Sequence, residues 1–223
     1  MDQPLISTVT LTYNKEALLY QCLENIKANT QNSFEMIVVD NGSSDGTLSM
    51  VRNNFPEATL VTLKENKGGW TRNFGFEVAK GKFIGQIDDD VLVLPAWDEV
   101  LLEYMEKDVG AVGPCGWFFT NWDRPNEGEK AEVGDYCDFL TGYLWLMRNE
   151  KDFRYSERYK FWHEDLFLSM KIRSLGWRLR QSRNCCVHLN ARPFVDWKEH
   201  DEGLNLIKED WMLAEKLKFE KFN

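Results

Sequence analysis

Apolar and polar positions along the chain follow two alternating patterns. Short apolar runs at Leu5–Leu11, Glu35–Val39 and Phe83–Ile87 read as buried strands, and Ala58–Leu63 as a further strand between them. Between them the spacing turns helical. From Lys15 to about Thr30, Leu19, Cys22, Leu23 and Ile26 share one face. Asp40-Asn41-Gly42-Ser43-Ser44-Asp45-Gly46-Thr47 supplies capping Ser and Asp residues ahead of Leu48 and Val51. After Asn66-Lys67-Gly68-Gly69, Trp70, Phe74 and Val78 recur on one predicted helical face, and Gly81 ends that helix. Strand, loop and helix in alternation predict right-handed βαβ units and a mostly parallel sheet. In such sheets ligands sit outside the carboxyl ends of the strands. Those ends carry Thr12-Tyr13-Asn14, Asp40 and Asp88-Asp89-Asp90.

The second half is less regular. Val91–Leu94 is apolar, Ala96–Lys107 predicts a helix and Val109–Val112 a strand, after which Gly116–Trp122 and the charged stretch to Lys130 break the pattern. Aromatic residues set among polar ones stack on sugar rings in some proteins and pack a core in more. Thr141–Leu146 predicts a buried segment in which Gly142 allows close backbone approach. His163-Glu164-Asp165 precedes Leu166, Phe167, Met170 and Leu175, with Gly176 as the stop, so both acids open a helix. Acids there also serve as caps that favour the helix dipole. Trp177–Val187 reads as a strand ending at His188, and Lys198 to the end as a charged amphipathic helix presenting Leu204, Ile207, Trp211, Leu213 and Leu217.

Composition narrows the class. The 223 residues are 43% hydrophobic, enough for one α/β domain with a sizeable core. A net charge of −9 argues against an extended nucleic-acid surface. Five cysteines, an odd number without zinc-ligand spacing, predict a reduced, cytoplasmic protein. No stretch approaches the ~18 apolar residues of a membrane span, and no signal-peptide pattern opens the chain.

The aspartate triplet carries the chemistry. Three adjacent carboxylates between apolar segments repel one another and lose hydration unless a cation is near. The plain alternative is a solvated acidic turn. Hard oxygen ligands suit Mn²⁺ or Mg²⁺, which commonly arrive with a phosphate-bearing ligand. No G-x-G-x-x-G follows the first strand, which disfavours a nicotinamide dinucleotide site, and no G-x-x-x-x-G-K-[ST] occurs, so this is no P-loop enzyme. A carboxylate-held metal is therefore the expected diphosphate partner, with His188 as a further ligand.

These residues together resemble the inverting family 2 glycosyltransferases of the GT-A fold. The resemblance rests on Thr12-Tyr13-Asn14 with Glu16, on Val39–Thr47, and on Asn66-Lys67-Gly68-Gly69 with Arg72, Asn73 and Gly75. Asp88-Asp89-Asp90 stands at the family's D-x-D, His163-Glu164-Asp165 at its acidic pair, and Leu175-Gly176-Trp177 also matches. It implies a Rossmann-like α/β sheet flanked by helices, with a small acceptor-side region. One domain would divide into a nucleotide-sugar half (1–94), an acceptor-binding and catalytic half (95–195) and a C-terminal helix (196–223).

The implied donor is a nucleoside-diphosphate sugar, with UDP ahead of dTDP and GDP. Asp40 would accept from the base, and Thr12, Tyr13, Asn14, Glu16 and Asn41 would line the nucleoside pocket. Asp88 would meet the ribose or a metal-bound water, Asp89 the donor, and Lys67 or Arg72 the diphosphate. Asp90, Asp88 and His188 would hold the metal. Asp165 would be the general base beside Glu164, and Trp117, Trp162 and His163 would face a glycan, lipid-linked or protein acceptor. The chain stops soon after its last predicted helix, without membrane segments, which favours single addition over polymerisation in glycan or polysaccharide assembly. Two other classes compete: a non-catalytic sugar-nucleotide or glycan-binding module, and a metal-dependent nucleotidyl or phosphoryl transferase.

Overall fold

The structure is a computed structural model that describes residues 3–118, 128–160 and 163–189, with 205, 206 and 209. The first half runs β1 (Ile6–Thr12), α1 (Glu16–Asn29), β2 (Phe34–Asp40), α2 (Thr47–Asn54), β3 (Thr59–Thr62), α3 (Arg72–Val78) and β4 (Phe83–Ile87). A ribbon strand β5 (Val91–Val93), α4 (Trp97–Glu103) and β6 (Val109–Gly113) follow. Short strands β7 (Gly116–Phe118), β8 (Glu129–Lys130), β9 (Tyr136–Cys137) and β10 (Phe139–Leu140) lead to β11 (Leu144–Arg148). The last described elements are α5 (Glu164–Ser174), β12 (Arg178–Gln181) and β13 (Cys186–His188).

Eight strands form the central sheet in the order β3-β2-β1-β4-β11-β6-β12-β9. The predicted strands β1 to β4 are mutually parallel, as are β6 and β12. β11 runs antiparallel between β4 and β6. It therefore begins where the parallel strands end, which sets the 141–143 loop beside Asp88. The amide of Asp88 donates to Tyr143 O at 2.9 Å.

Residues alternate between two apolar layers. On β2, Met36 and Val38 join the cluster under α1, α2 and α4, whereas Ile37 and Val39 join the one under α3 and α5. Such alternation is what a strand covered on both faces requires.

Three local expectations are corrected. The buried residues of α3 are Arg72, Gly75 and Phe76, not the Trp70–Phe74–Val78 stripe, and Val78 is 41% exposed. A Cβ at Gly75 would lie 2.5 Å from Val9 Cγ1 and 2.8 Å from Val39 Cγ2, so the helix rests on the sheet through its glycine. Trp70 and Phe74 are displaced to the flank, where their rings pair at 5.7 Å. The predicted Trp177–Val187 strand is two: β12 enters the main sheet, and β13 pairs antiparallel with β5 in a separate ribbon. α4 ends at Glu103, short of Lys107, because the following turn gives the carbonyls of Glu106, Lys107 and Val109 to the Arg148 guanidinium.

Of the predicted C-terminal helix, residues 205, 206 and 209 are helical and Leu206 packs beside Tyr159, Leu166 and Met170. Leu204, Ile207, Trp211, Leu213 and Leu217 lie outside the described residues, as does Trp162. Among the described residues no helix is long and apolar enough to cross a membrane.

Candidate active site

Parallel pairing sets Thr12 opposite Asp40 at the carboxyl edge, so the loops after β1 and β2 are neighbours. Asn14, in the left-handed region at φ 52°, donates its amide to Ser43 Oγ at 2.9 Å and accepts the Ser44 amide at 2.8 Å. Asp45 accepts the amides of Glu16 and Thr47 at 3.3 and 3.0 Å, so one carboxylate satisfies the first backbone N–H of both α1 and α2. The buried Asp40 carboxylate accepts the Ser43 amide at 3.1 Å. Asn41 reaches the next loop: its Nδ2 donates to Asn66 Oδ1 at 2.7 Å, and its Oδ1 accepts the Lys67 amide at 3.1 Å. Tyr13 is 43% exposed, and the Lys67 side chain is near Glu65 at 3.5 Å. The Glu16 carboxylate lies against Gly46.

The three aspartates meet three environments. Asp88 is paired with Arg72, whose buried guanidinium is held charged by that carboxylate against the opposing effect of burial. Asp89, nearly buried, takes Lys15 Nζ at 2.8 Å; burial still holds its carboxyl above the ordinary range. Asp90 accepts from Lys15 Nζ on Oδ2 at 3.1 Å and faces His188 Nε2 with Oδ1 at 3.2 Å. Burial opposes its charge, yet His188 and Lys15 prevail and bring it down to about 2. The hydrogen bond to Asp90 in turn raises His188, whose ring stacks on Tyr143 with centroids 5.2 Å apart.

Ligand atoms of Asp88, Asp90 and His188 lie within 4.8 Å of one another. Two carboxylate oxygens and an imidazole nitrogen suit Mg²⁺ or Mn²⁺. Asp88, Asp89, Asp90, Glu164 and Asp165 outnumber the neighbouring cations Lys15, Arg72 and His188, so added positive charge fits here.

Across from the aspartates, His163 turns the chain at φ 62° into α5 and places Glu164 and Asp165 in its first turn. Asp165 Oδ2 accepts the Gly142 amide at 3.0 Å and Oδ1 accepts the Leu166 amide at 2.7 Å. A Cβ at Gly142 would fall 2.9 Å from Asp165 Cβ, so glycine is what permits this approach. Burial pushes Asp165 above the ordinary carboxyl range against those backbone donors. Glu164 is pushed up to about 7 by burial and by Asp165, with Arg72 Nη1 opposing from 4.0 Å. A cleft of about 240 Å³ brings Asp88 and His188 together with His163, Glu164 and Asp165, with Arg72, Gln86 and Tyr155 also in its lining.

Asp89 and Asp90 do not line that cleft, and neither does Trp117, which stacks on Phe139 with centroids 6.5 Å apart. Three residues of the site had no role in the sequence reading. Lys15 follows Thr12-Tyr13-Asn14 directly and answers the triplet's need for a cation. Gln86 is a polar residue inside an apolar strand. Tyr155 sits in a charged stretch with no periodic signal.

The profile of the family described as "Glycosyl transferase family 2" matches residues 7–178. An uncharacterized glycosyltransferase of Haemophilus influenzae is 25% identical over 193 residues, 72% of this chain and 60% of that protein. Glycosyltransferase GlyG of Streptococcus pneumoniae is 36% identical over 146 residues, 62% of this chain and 44% of that protein. The chain thus spans less than two thirds of either relative. Among solved structures, the mannosyltransferase PcManGT of Pyrobaculum calidifontis, in complex with GDP-Man and Mn²⁺, superposes with a TM-score of 0.67 at 23% identity, covering 86% of this chain and 59% of that one. S. aureus TarS 1–349 gives 0.59 at 19% identity, covering 81% and 58%. At such identities the superpositions speak to the fold, which is GT-A. With its profile match running from β1 into β12, the chain belongs to glycosyl transferase family 2.

Proposed function

We propose that the chain moves a sugar from a nucleoside-diphosphate sugar to an acceptor hydroxyl, with inversion and with a divalent metal. The observation that carries this reading is the shared cleft: candidate metal ligands Asp88 and His188 and the acids Glu164 and Asp165 line one cavity. PcManGT, which holds GDP-Man and Mn²⁺, has the same fold and supports a donor of that class. Thr12, Tyr13, Asn14, Glu16, Asp40 and Asn41 form the adjoining loop cluster that would take the nucleoside, with Lys67 at its edge. Asp88, Asp90 and His188 would hold Mn²⁺ or Mg²⁺, which when bound offsets charge on the departing diphosphate.

The remaining work falls to this chain's side chains. Arg72 holds the Asp88 carboxylate in an ion pair at the wall of the cleft. Lys15 neutralises Asp89 and fixes one oxygen of Asp90. The Asp165 carboxylate takes the proton of the acceptor hydroxyl as that oxygen bonds to the anomeric carbon and the carbon–oxygen bond to the diphosphate breaks. A carboxyl raised by burial is closer to neutral pH and better matched to that task. One displacement inverts the anomeric centre and needs no second carboxylate nucleophile. His163 lines the same cleft and would face the acceptor.

The test is Asp165→Asn, assayed with UDP-, GDP- and dTDP-sugars. Transfer is expected to fall by at least about a hundredfold, while Mn²⁺ and nucleoside diphosphate bind as in wild type. Unchanged turnover removes Asp165 as the base. Release of pyrophosphate instead of a nucleoside diphosphate makes the protein a nucleotidyl transferase.

A further inference from the structure

β4 turns Ile84 and Gln86 to the same face. Ile84 joins the apolar layer under α3 and α5, whereas Gln86 buries an amide there at 1% exposure. A buried amide without partners costs about 1–3 kcal/mol, so what satisfies it is informative. Gln86 Nε2 donates to Gly142 O at 2.6 Å, and the buried Tyr155 hydroxyl donates to Gln86 Oε1. The Gly142 carbonyl can only accept, which fixes the end of the amide that faces it and makes the hydroxyl the donor. Gly142 then donates its own amide to Asp165 Oδ2 at 3.0 Å.

Resting on the reading of Asp165 as the base, we infer that Gln86 and Tyr155 are positioning residues: they clamp Gly142 so that its N–H orients the Asp165 carboxylate toward the acceptor. The clamp joins three elements that are far apart in sequence. Gln86 comes from β4, which ends one residue before Asp88, Gly142 from the loop before β11, and Tyr155 from the segment after it. The base is thereby tied to the strand that leads into the candidate metal ligands Asp88 and Asp90.

Other charged and titratable groups face Asp165. Glu164 shares α5, Asp88 comes from the end of β4, Arg72 from α3 and Tyr155 from the segment after β11; His163 and His188 line the same cleft. Of these, only Tyr155, which loses the acceptor of its hydroxyl, would change in a Gln86 variant, whereas the Gly142 N–H, which favours the ionised carboxylate, would shift. Losing it makes Asp165 hold its proton to higher pH.

The experiment pairs Gln86→Met with Tyr155→Phe and follows the Gly142 amide by ¹⁵N NMR through a pH titration. Asp165→Asn, in which the titration should vanish, serves as the assignment control. In both variants the Gly142 titration is expected to move to higher pH. The acidic limb of the kcat profile should move with it, and kcat should fall about tenfold with KM for the donor within about twofold. UDP and Mn²⁺ binding at wild-type strength shows that the variants are folded. A Gly142 titration that stays in place in both variants overturns the inference, as does a loss of kcat that follows only a loss of stability. If Gly142 shifts as expected but wild type transfers no sugar, the positioning stands and the proposed function falls.

Discussion

Glu164 and Asp165 are adjacent in sequence, yet their carboxyls have different partners. Asp165 has two backbone donors, whereas Glu164 has Arg72 at 4.0 Å and the repulsion of Asp165. Both carboxyls are raised, and for Glu164 the folded state keeps its proton up to about 7 while the unfolded chain releases it near 4.5. In that window the native state binds more protons than the unfolded one, so stability must fall as pH rises and level off above it. The contribution is on the order of 3 kcal/mol. Glu164→Gln should remove its share of the fall, leaving the parts due to Asp165, Asp89 and His188, which are raised as well. Urea unfolding at intervals from about pH 4 to about pH 8 reads it directly. A variant that loses stability as steeply as wild type would mean that Glu164 is ionised throughout.

At the scale of elements, packing decided what periodicity could not. Buried strands β1, β2 and β4 were legible because both faces are covered and charged residues are absent from their centres. The face of α3 was not legible. Its closest contact is Gly75, which carries no hydrophobic signal, and beside Phe76 its remaining inward residue is an arginine whose partner Asp88 lies on a later segment. For the same reason the triplet and the acids of α5 could be picked out one by one, while Lys15, Gln86 and Tyr155 emerged only from tertiary contacts. Gly75→Ala tests the α3 packing. A methyl there meets Val9 and Val39 below 3 Å, and overpacking of this kind costs about 1–3 kcal/mol. Because Arg72 stands one turn earlier on α3, the shift should also loosen its pairing with Asp88 and weaken nucleoside diphosphate binding. Stability and binding unchanged by the methyl would show that α3 is free to slide on the sheet.

Across the whole molecule, the two halves of the sheet meet at β4 and β11, which pair from Leu144↔Ile87 to Arg148↔Phe83. Each apolar layer crosses that seam. One contains Ile6 and Leu146, and the other contains Val9 and Trp145. The candidate metal ligands and the acids of α5 sit at the end of the same seam, so a ligand bound there draws on contacts from both halves. Mn²⁺ with a nucleoside diphosphate should therefore raise a single cooperative melting transition rather than split it. At a hundredfold excess over Kd, linkage gives about 2.7 kcal/mol, or roughly 5–10 °C for a chain of this size. EDTA should reverse the shift. Asp90→Ala should abolish it, because that variant removes the carboxylate that faces His188. Two separate transitions, only one of them ligand-sensitive, would show that the halves fold independently. An equal shift without metal would show that Lys15 and Arg72 suffice to hold the diphosphate.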